Sequence, residues 1–148
     1  MHAKVVILGT GGTIAGTADD AADGVGYRAA QLEVAGLVAA VPPLAQMPLE
    51  CEQVAQLDSR DMSHAVWQRL AQRVAHHLGR EEVAGVVVTH GTDTLEETAY
   101  FLHRVLGPAK PVVLTAAMRP ASSLQADGPQ NLLDAVRTAC VADARGVV

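Results

Sequence analysis

The stretch Val5-Val6-Ile7-Leu8-Gly9-Thr10-Gly11-Gly12-Thr13-Ile14-Ala15-Gly16 decides the fold class of this chain. Its first four residues are apolar without alternation, the pattern of a strand covered on both faces. A glycine- and threonine-rich loop follows at once, as at the exit of a buried parallel strand. Similar apolar runs recur downstream: a weaker one at Gln53 to Leu57, then Val86-Val87-Val88, Pro111 to Thr115, and the short Gly146-Val147-Val148. Longer amphipathic stretches lie between them. Gln31 to Val41 reads as a helix stopped by Pro42-Pro43. Ser63 is placed to cap a helix with an apolar stripe at Val66, Leu70, Val74 and Leu78, ended by Gly79. Thr94 and Glu97 have capping-box spacing for a helix running to about Leu106. Pro129 suits the first turn of a helix reaching about Val141. Strand and helix alternate four times, which predicts an α/β fold with an open, mostly parallel sheet in three layers. Residues 146–148 read as the opening of a fifth strand. The sheet is therefore expected to continue in residues cut away here or supplied by a partner chain.

The chain has 148 residues, 49% apolar and 18% charged, as expected of one globular domain and not of a disordered chain. Eleven basic residues stand against sixteen acidic ones, for a net charge of −5, and only Lys4 and Lys110 are lysines. With four aromatic residues besides, it lacks both the clustered cations and the stacking surface that a nucleic-acid partner requires. Cys51 and Cys140 fit no metal or redox spacing and are expected to be buried small hydrophobes. No signal-peptide layout and no membrane-length apolar run is legible, so a reducing, cytoplasmic setting is expected.

Open α/β sheets bind ligands beyond the carboxyl ends of their strands, so the strand-exit loops carry the candidate chemistry. In the first, no glycine is followed by lysine, and Ile14 stands where a dinucleotide fingerprint needs its third glycine. Its glycines either make a tight turn or leave room for a substrate beside Thr13, a candidate nucleophile. Ser59 in the second loop offers a hydroxyl, or else an ordinary turn. Thr89-His90-Gly91-Thr92-Asp93-Thr94 opens a helix whose N–H groups favour anionic groups. There Asp93 either binds a substrate ammonium, orients a base or merely stabilises the helix start. His90 is either a general base or a packed residue. His64, His76, His77 and His103 fall on helices without a metal-binding pairing, and no metal site is expected.

These loops together resemble the bacterial-type L-asparaginase family. The matching pieces are Thr10-Gly11-Gly12-Thr13-Ile14-Ala15-Gly16, Asp58-Ser59-Arg60-Asp61-Met62, Thr89-His90-Gly91-Thr92-Asp93-Thr94 continuing to Tyr100, and Ala117-Met118-Arg119-Pro120 with Ala126-Asp127-Gly128-Pro129. They occur in the family's order and span essentially the whole chain. The resemblance implies a flavodoxin-like, Rossmann-related sandwich. It also implies hydrolysis of L-asparagine to L-aspartate and ammonia without a cofactor, with side activity on L-glutamine. Thr13 matches the nucleophile and Tyr27 the lid tyrosine that orients it. Thr92 matches the proton-relay threonine. Asp93 matches the residue that holds the α-ammonium, and Ser59 the one that binds the α-carboxylate. Ala117 lies where a backbone carbonyl faces the amide being cleaved. Residues 1–148 would be the family's N-terminal domain without its C-terminal domain, and a homo-oligomer is expected.

The chain departs from the family in three places. The family's relay lysine comes from a later loop that this chain does not reach, and Lys4 and Lys110 begin strands at the opposite edge. Arg60 stands at a position often uncharged in the family; beside Ser59 it strengthens carboxylate binding or repels the ammonium, and altered Asn-versus-Gln preference is expected. The stretches matching the disulfide of periplasmic members, 78–80 and 107–109, hold no cysteine. A rival reading is a silent small-amide-binding or oligomerisation module that keeps Ser59 and Asp93 but turns nothing over. A weaker rival is a Rossmann-type nucleotide domain.

Overall fold

A computed structural model describes residues 3–22 and 26–148. The middle of the glycine-containing loop expected at Thr17 to Arg28, residues 23–25, lies outside the described residues. The strands are β1 (Lys4–Gly11), β2 (Leu49–Leu57), β3 (Val83–Thr89) and β4 (Val112–Thr115). The helices are α1 (Val34–Ala39), α2 (His64–Leu78), α3 (Leu95–Leu106) and α4 (Gly128–Ala139). Short 3₁₀ turns cover Thr13–Ala15, Pro42–Gln46, Ser59–Asp61 and Thr92–Thr94, three of them directly at strand exits.

The strands pair in the order β2-β1-β3-β4, all parallel. Val147 bridges in parallel to Val112, so the expected fifth strand begins beside β4. The unalternating run in β1 has a simple cause. Val5 and Ile7 pack with Leu37 of α1 and Leu132 and Val136 of α4 on one face. Val6 and Leu8 pack with Leu70 and Val74 of α2 and Leu102 of α3 on the other. Side chains still alternate faces with period two, but both faces are dry, so every position must be apolar. β3 repeats this with Val87 on one face and Val86 and Val88 on the other.

Several elements differ from their sequence-based expectation. α1 is shorter than Gln31 to Val41, because the N–H groups of Gln31 and Leu32 are claimed by the Ala15 carbonyl at 2.7 and 2.9 Å. The first helical N–H, on Val34, goes to the Gln53 side chain at 2.7 Å. The Thr94–Glu97 capping box does not form: Thr94 Oγ1 donates to the Ser59 carbonyl at 2.8 Å, and no side chain caps α3. α4 ends at Ala139, short of Val141. Cys51 is only half-buried and Cys140 is exposed just beyond α4, so neither is a buried core residue.

β2 runs from Leu49, longer than its apolar part predicted. It is the edge strand, and its N-terminal half is stabilised by charge. Arg80 forks onto Glu50 at 2.9 Å, and Lys4 reaches the same carboxylate at 3.1 Å. Arg73 forks onto Glu52 at 2.6 and 2.9 Å, and the buried His77 imidazole meets Glu52 at 2.7 Å. Hydrogen bonds from Arg80, aided by Lys4 and opposed by burial, lower the Glu50 carboxyl from its ordinary 4.5 to about 2. A depressed carboxyl contributes stability above its unfolded pKa and loses it as pH falls through the folded one. The melting temperature should therefore fall as pH drops from about 4.5 to about 2. Glu50→Gln should flatten part of that fall; an unchanged pH slope in the variant would refute the assignment.

Candidate active site

β1 ends in two glycines that bring the backbone where side chains cannot follow. Gly11 and Gly12 adopt φ of 104° and 79°. A Cβ on Gly11 would run into the Leu57 backbone, and one on Gly12 would meet the backbone of His90 and Gly91. The exits of β1, β2 and β3 are thus pressed together. Immediately after Gly12 the Thr13–Ala15 turn presents Thr13, which is only 9% exposed. Thr13 Oγ1 is 2.8 Å from the Tyr27 hydroxyl. Tyr27 stands on the loop whose stalk is closed by reciprocal N–H to O=C bonds between Thr17 and Arg28, each 2.9 Å.

The second and third loops are tied by two bonds. The buried Ser59 accepts the Asp93 N–H at its Oγ (3.1 Å), and its carbonyl accepts the Thr94 hydroxyl (2.8 Å). Because Ser59 Oγ accepts from Asp93, its own proton remains to be donated. Thr92 and Asp93 are exposed on the 3₁₀ turn that leads into α3. Thr13, Ser59 and Asp93 therefore come from the exits of β1, β2 and β3, with β1 between the other two strands. This is a switch point, where successive connections leave opposite faces of the sheet. A hydroxyl with a free proton and a carboxylate-bearing residue thus lie at neighbouring strand exits, on either side of the strand that leads into Thr13.

His90 sits at the end of β3 but is fully buried. Its Nδ1 is 2.8 Å from the Gly91 carbonyl, and its Nε2 is 2.9 Å from Thr98 Oγ1. Trp67 Nε1 donates to that same Thr98 oxygen at 2.8 Å. Thr98 accepts from tryptophan and so gives its one proton to Nε2, which leaves Nδ1–H for the carbonyl. Burial pushes the imidazole pKa down, although the bond to Gly91 opposes this. His90 is thus a neutral packed residue supporting the loop, which answers the question its sequence position left open.

Arg60 is 73% exposed at its side chain and pairs with Asp58 at 3.3 Å. With Tyr27, Arg28 and Asp58 it borders an open cleft of about 440 Å³. Ala117, at the exit of β4, is buried. Neither lysine lies in the site. Lys4 is bonded to Glu50, and Lys110 Nζ donates to the Arg80 carbonyl at 2.7 Å, both near the amino ends of the strands. Among the described residues no group of His, Cys, Asp and Glu could hold a metal ion, and no helix is long and apolar enough to cross a membrane.

Sequence reading missed the supporting groups. Thr94 reaches Ser59 across 35 positions and Trp67 reaches Thr98 across 31, while Thr98 in turn meets His90 eight positions before it. Asp127 and Asn131 hold the β4 loop from α4. Asp127 stood in one of the matching pieces, but its place next to a glycine-proline helix start equally suits a helix cap, and no role was read for it.

The comparisons with known proteins agree with this arrangement. The family model described as "Asparaginase, N-terminal" matches residues 4–148. The glutaminase-asparaginase of Pseudomonas fluorescens biotype A is 46% identical over 145 residues, which is 97% of this chain and 40% of that protein. L-asparaginase 2 of Escherichia coli K12 is 46% identical over 137 residues, 92% of this chain and 38% of that protein. A crystal structure of a probable cytoplasmic L-asparaginase from Campylobacter jejuni superposes with a TM-score of 0.94 at 44% identity, covering 98% of this chain and 45% of that one. The chain thus spans about 40% of the length of the curated relatives it matches. With the strand order, the glycine turn and the three joined strand exits all in place, the chain belongs to the asparaginase family and matches its N-terminal part.

Proposed function

We propose that this chain carries the nucleophile-bearing part of an L-asparagine amidohydrolase. The observation that supports it most is the Thr13–Tyr27 pair at 2.8 Å on the exit of β1, beside the Ser59–Asp93 bond at 3.1 Å. In this reading Asp93 binds the substrate α-ammonium, and Ser59 donates its free proton to the α-carboxylate. Thr13 Oγ attacks the side-chain amide carbon while its proton passes towards Tyr27 and Thr92. The tetrahedral intermediate collapses, the C–N bond breaks, and ammonia leaves with the transferred proton. Water then cleaves the ester to give L-aspartate and free Thr13. Loop N–H groups beside Thr13 and Thr92 are the candidate oxyanion donors. No cofactor enters. L-glutamine is the expected second substrate, since glutaminase-asparaginases are among the relatives.

One alternative is a module that binds the amino acid through Ser59 and Asp93 without turnover; those two residues are joined to each other and not to Thr13. Ammonia release from L-asparagine and calorimetric binding of L-aspartate test the two. Turnover supports the hydrolase; binding without turnover supports either a half-site that needs the remainder of its site or the silent module; neither would refute both. A homo-oligomer is proposed on the exposed apolar side chains of Met118 and Leu124 beside the site. Cytoplasmic residence is proposed on the likeness to the Campylobacter jejuni protein, although a relative from Haemophilus influenzae is named as a probable periplasmic L-asparaginase.

Arg60 is the proposed specificity residue. Arg60→Gln should change the ratio of kcat/KM for L-asparagine over L-glutamine several-fold, because it removes a cation from the mouth of the cleft. Equal ratios in the two proteins would remove Arg60 from this role.

A further inference from the structure

We infer that Asp127 and Asn131, at the start of α4, are positioning residues that set the Ala117 carbonyl against the Thr13 turn. This rests on the hydrolase reading, in which that carbonyl faces the amide being cleaved. The Asp127 carboxylate accepts the Met118 N–H at Oδ2 and the Arg119 N–H at Oδ1, each at 2.9 Å. Asn131 Nδ2 donates to the Ala116 carbonyl at 3.0 Å and to Asp127 Oδ2 at 3.3 Å. The peptides on both sides of Ala117 are thereby held by one side-chain pair. Ala117 itself is 2% exposed, and among the described residues nothing donates to its carbonyl.

The same helix start also touches the nucleophile turn. A Cβ on Gly128 would lie 2.9 Å from Ile14 Cγ1 and 3.6 Å from the Ala117 Cβ. The glycine backbone therefore sits between Ile14, the neighbour of Thr13, and Ala117. A larger residue here would push the two apart.

The carboxylate is diverted from its ordinary local use. An aspartate just before a helix usually caps it, but Asp127 makes no capping bond and has helical φ and ψ of −91° and −18°. Both its oxygens are committed to the loop after β4. Burial works against the carboxylate, yet the Met118 and Arg119 N–H groups outweigh it and keep the group below the usual range, so it stays ionised at neutral pH.

The clasp lies on the β4 and α4 side, whereas Ser59 and Asp93 come from the β2 and β3 exits. Its loss should therefore act on kcat more than on KM. Displacing a reacting group by about 1 Å costs roughly 10²-fold. Asp127→Ala should lower kcat for L-asparagine by about 30- to 100-fold, with KM and L-aspartate affinity within about threefold. Asp127→Asn keeps one acceptor oxygen and should recover part of the loss. Asn131→Ala should show a smaller loss of the same kind. Gln130→Ala, on the exposed side of the same helix turn, should leave kcat unchanged.

Wild-type kcat in Asp127→Ala would overturn the inference. So would a loss in proportion to the unfolded fraction, with no recovery in Asp127→Asn, since a merely structural role predicts that. An unsubstituted protein that neither releases ammonia nor binds L-aspartate would overturn the hydrolase reading and this role together, and it would show before any variant was made.

Discussion

Thr13→Ala should reduce ammonia release from L-asparagine by about 10⁴-fold or more, the scale found when a covalent nucleophile is removed. The hydroxyl is the one group in the turn able to form an ester with the substrate. Thr13 is only 9% exposed, and its hydroxyl is already bonded to Tyr27. A water molecule taking its place would lack the orientation that the 3₁₀ turn imposes. L-aspartate affinity should hold within about threefold, because Ser59 and Asp93 are joined to each other and not to Thr13. Thr13→Ser keeps the hydroxyl and should retain measurable turnover. The check is steady-state ammonia release beside isothermal calorimetry. An alanine variant that kept its rate would exclude Thr13 as the nucleophile.

Gly12→Ala should damage folding and activity together. Gly12 holds φ 79° and ψ −175°, a region that is essentially glycine-only. Backbone strain there costs about 1–3 kcal/mol. The new Cβ would also meet the backbone of His90 and Gly91, which has no rotamer to yield. For a chain of this size each kcal/mol lowers Tm by about 2–4 °C. A fall of roughly 2–12 °C is expected, on the strain alone. Activity should drop further than the folded fraction explains, because Thr13 follows directly and the turn must shift. Gly36→Ala is the matching control. A Cβ on Gly36 meets nothing within 4 Å, so it should leave both readouts near wild type. Equal effects at the two glycines would refute the strain argument.

The reading of the sequence was strongest where composition and geometry coincide. Residues 5–8 and 86–88 could be recognised as buried parallel strands because both faces of the sheet are covered, leaving no place for a polar residue. The Ser63 cap formed as expected, with its Oγ accepting the Val66 N–H at 3.4 Å. β2 was underestimated for the opposite reason. Its glutamates looked unlike a strand, and only the arrival of Lys4, Arg73 and Arg80 from other elements makes them tolerable at an edge. The capping box failed on the same ground: Thr94 met a better acceptor, the Ser59 carbonyl, 35 residues away.

From the sequence alone came the alternating architecture, the motifs that place the chain near the asparaginases, and the candidates Thr13, Tyr27, Ser59, Thr92 and Asp93. All of these depend on local pattern, either the period of apolar residues or the content of a strand-exit loop. Only the tertiary structure decided how those loops meet. It showed Gly12 against Gly91, the Ser59 hydroxyl bonded to Asp93, His90 held neutral between Gly91 and Thr98, and Asp127 turned from its helix to the β4 loop. A hydrogen bond between distant residues depends on the register in which strands pair, and register follows from the packing of both sheet faces at once. That packing is a property of the whole chain, so no single stretch of sequence could display it.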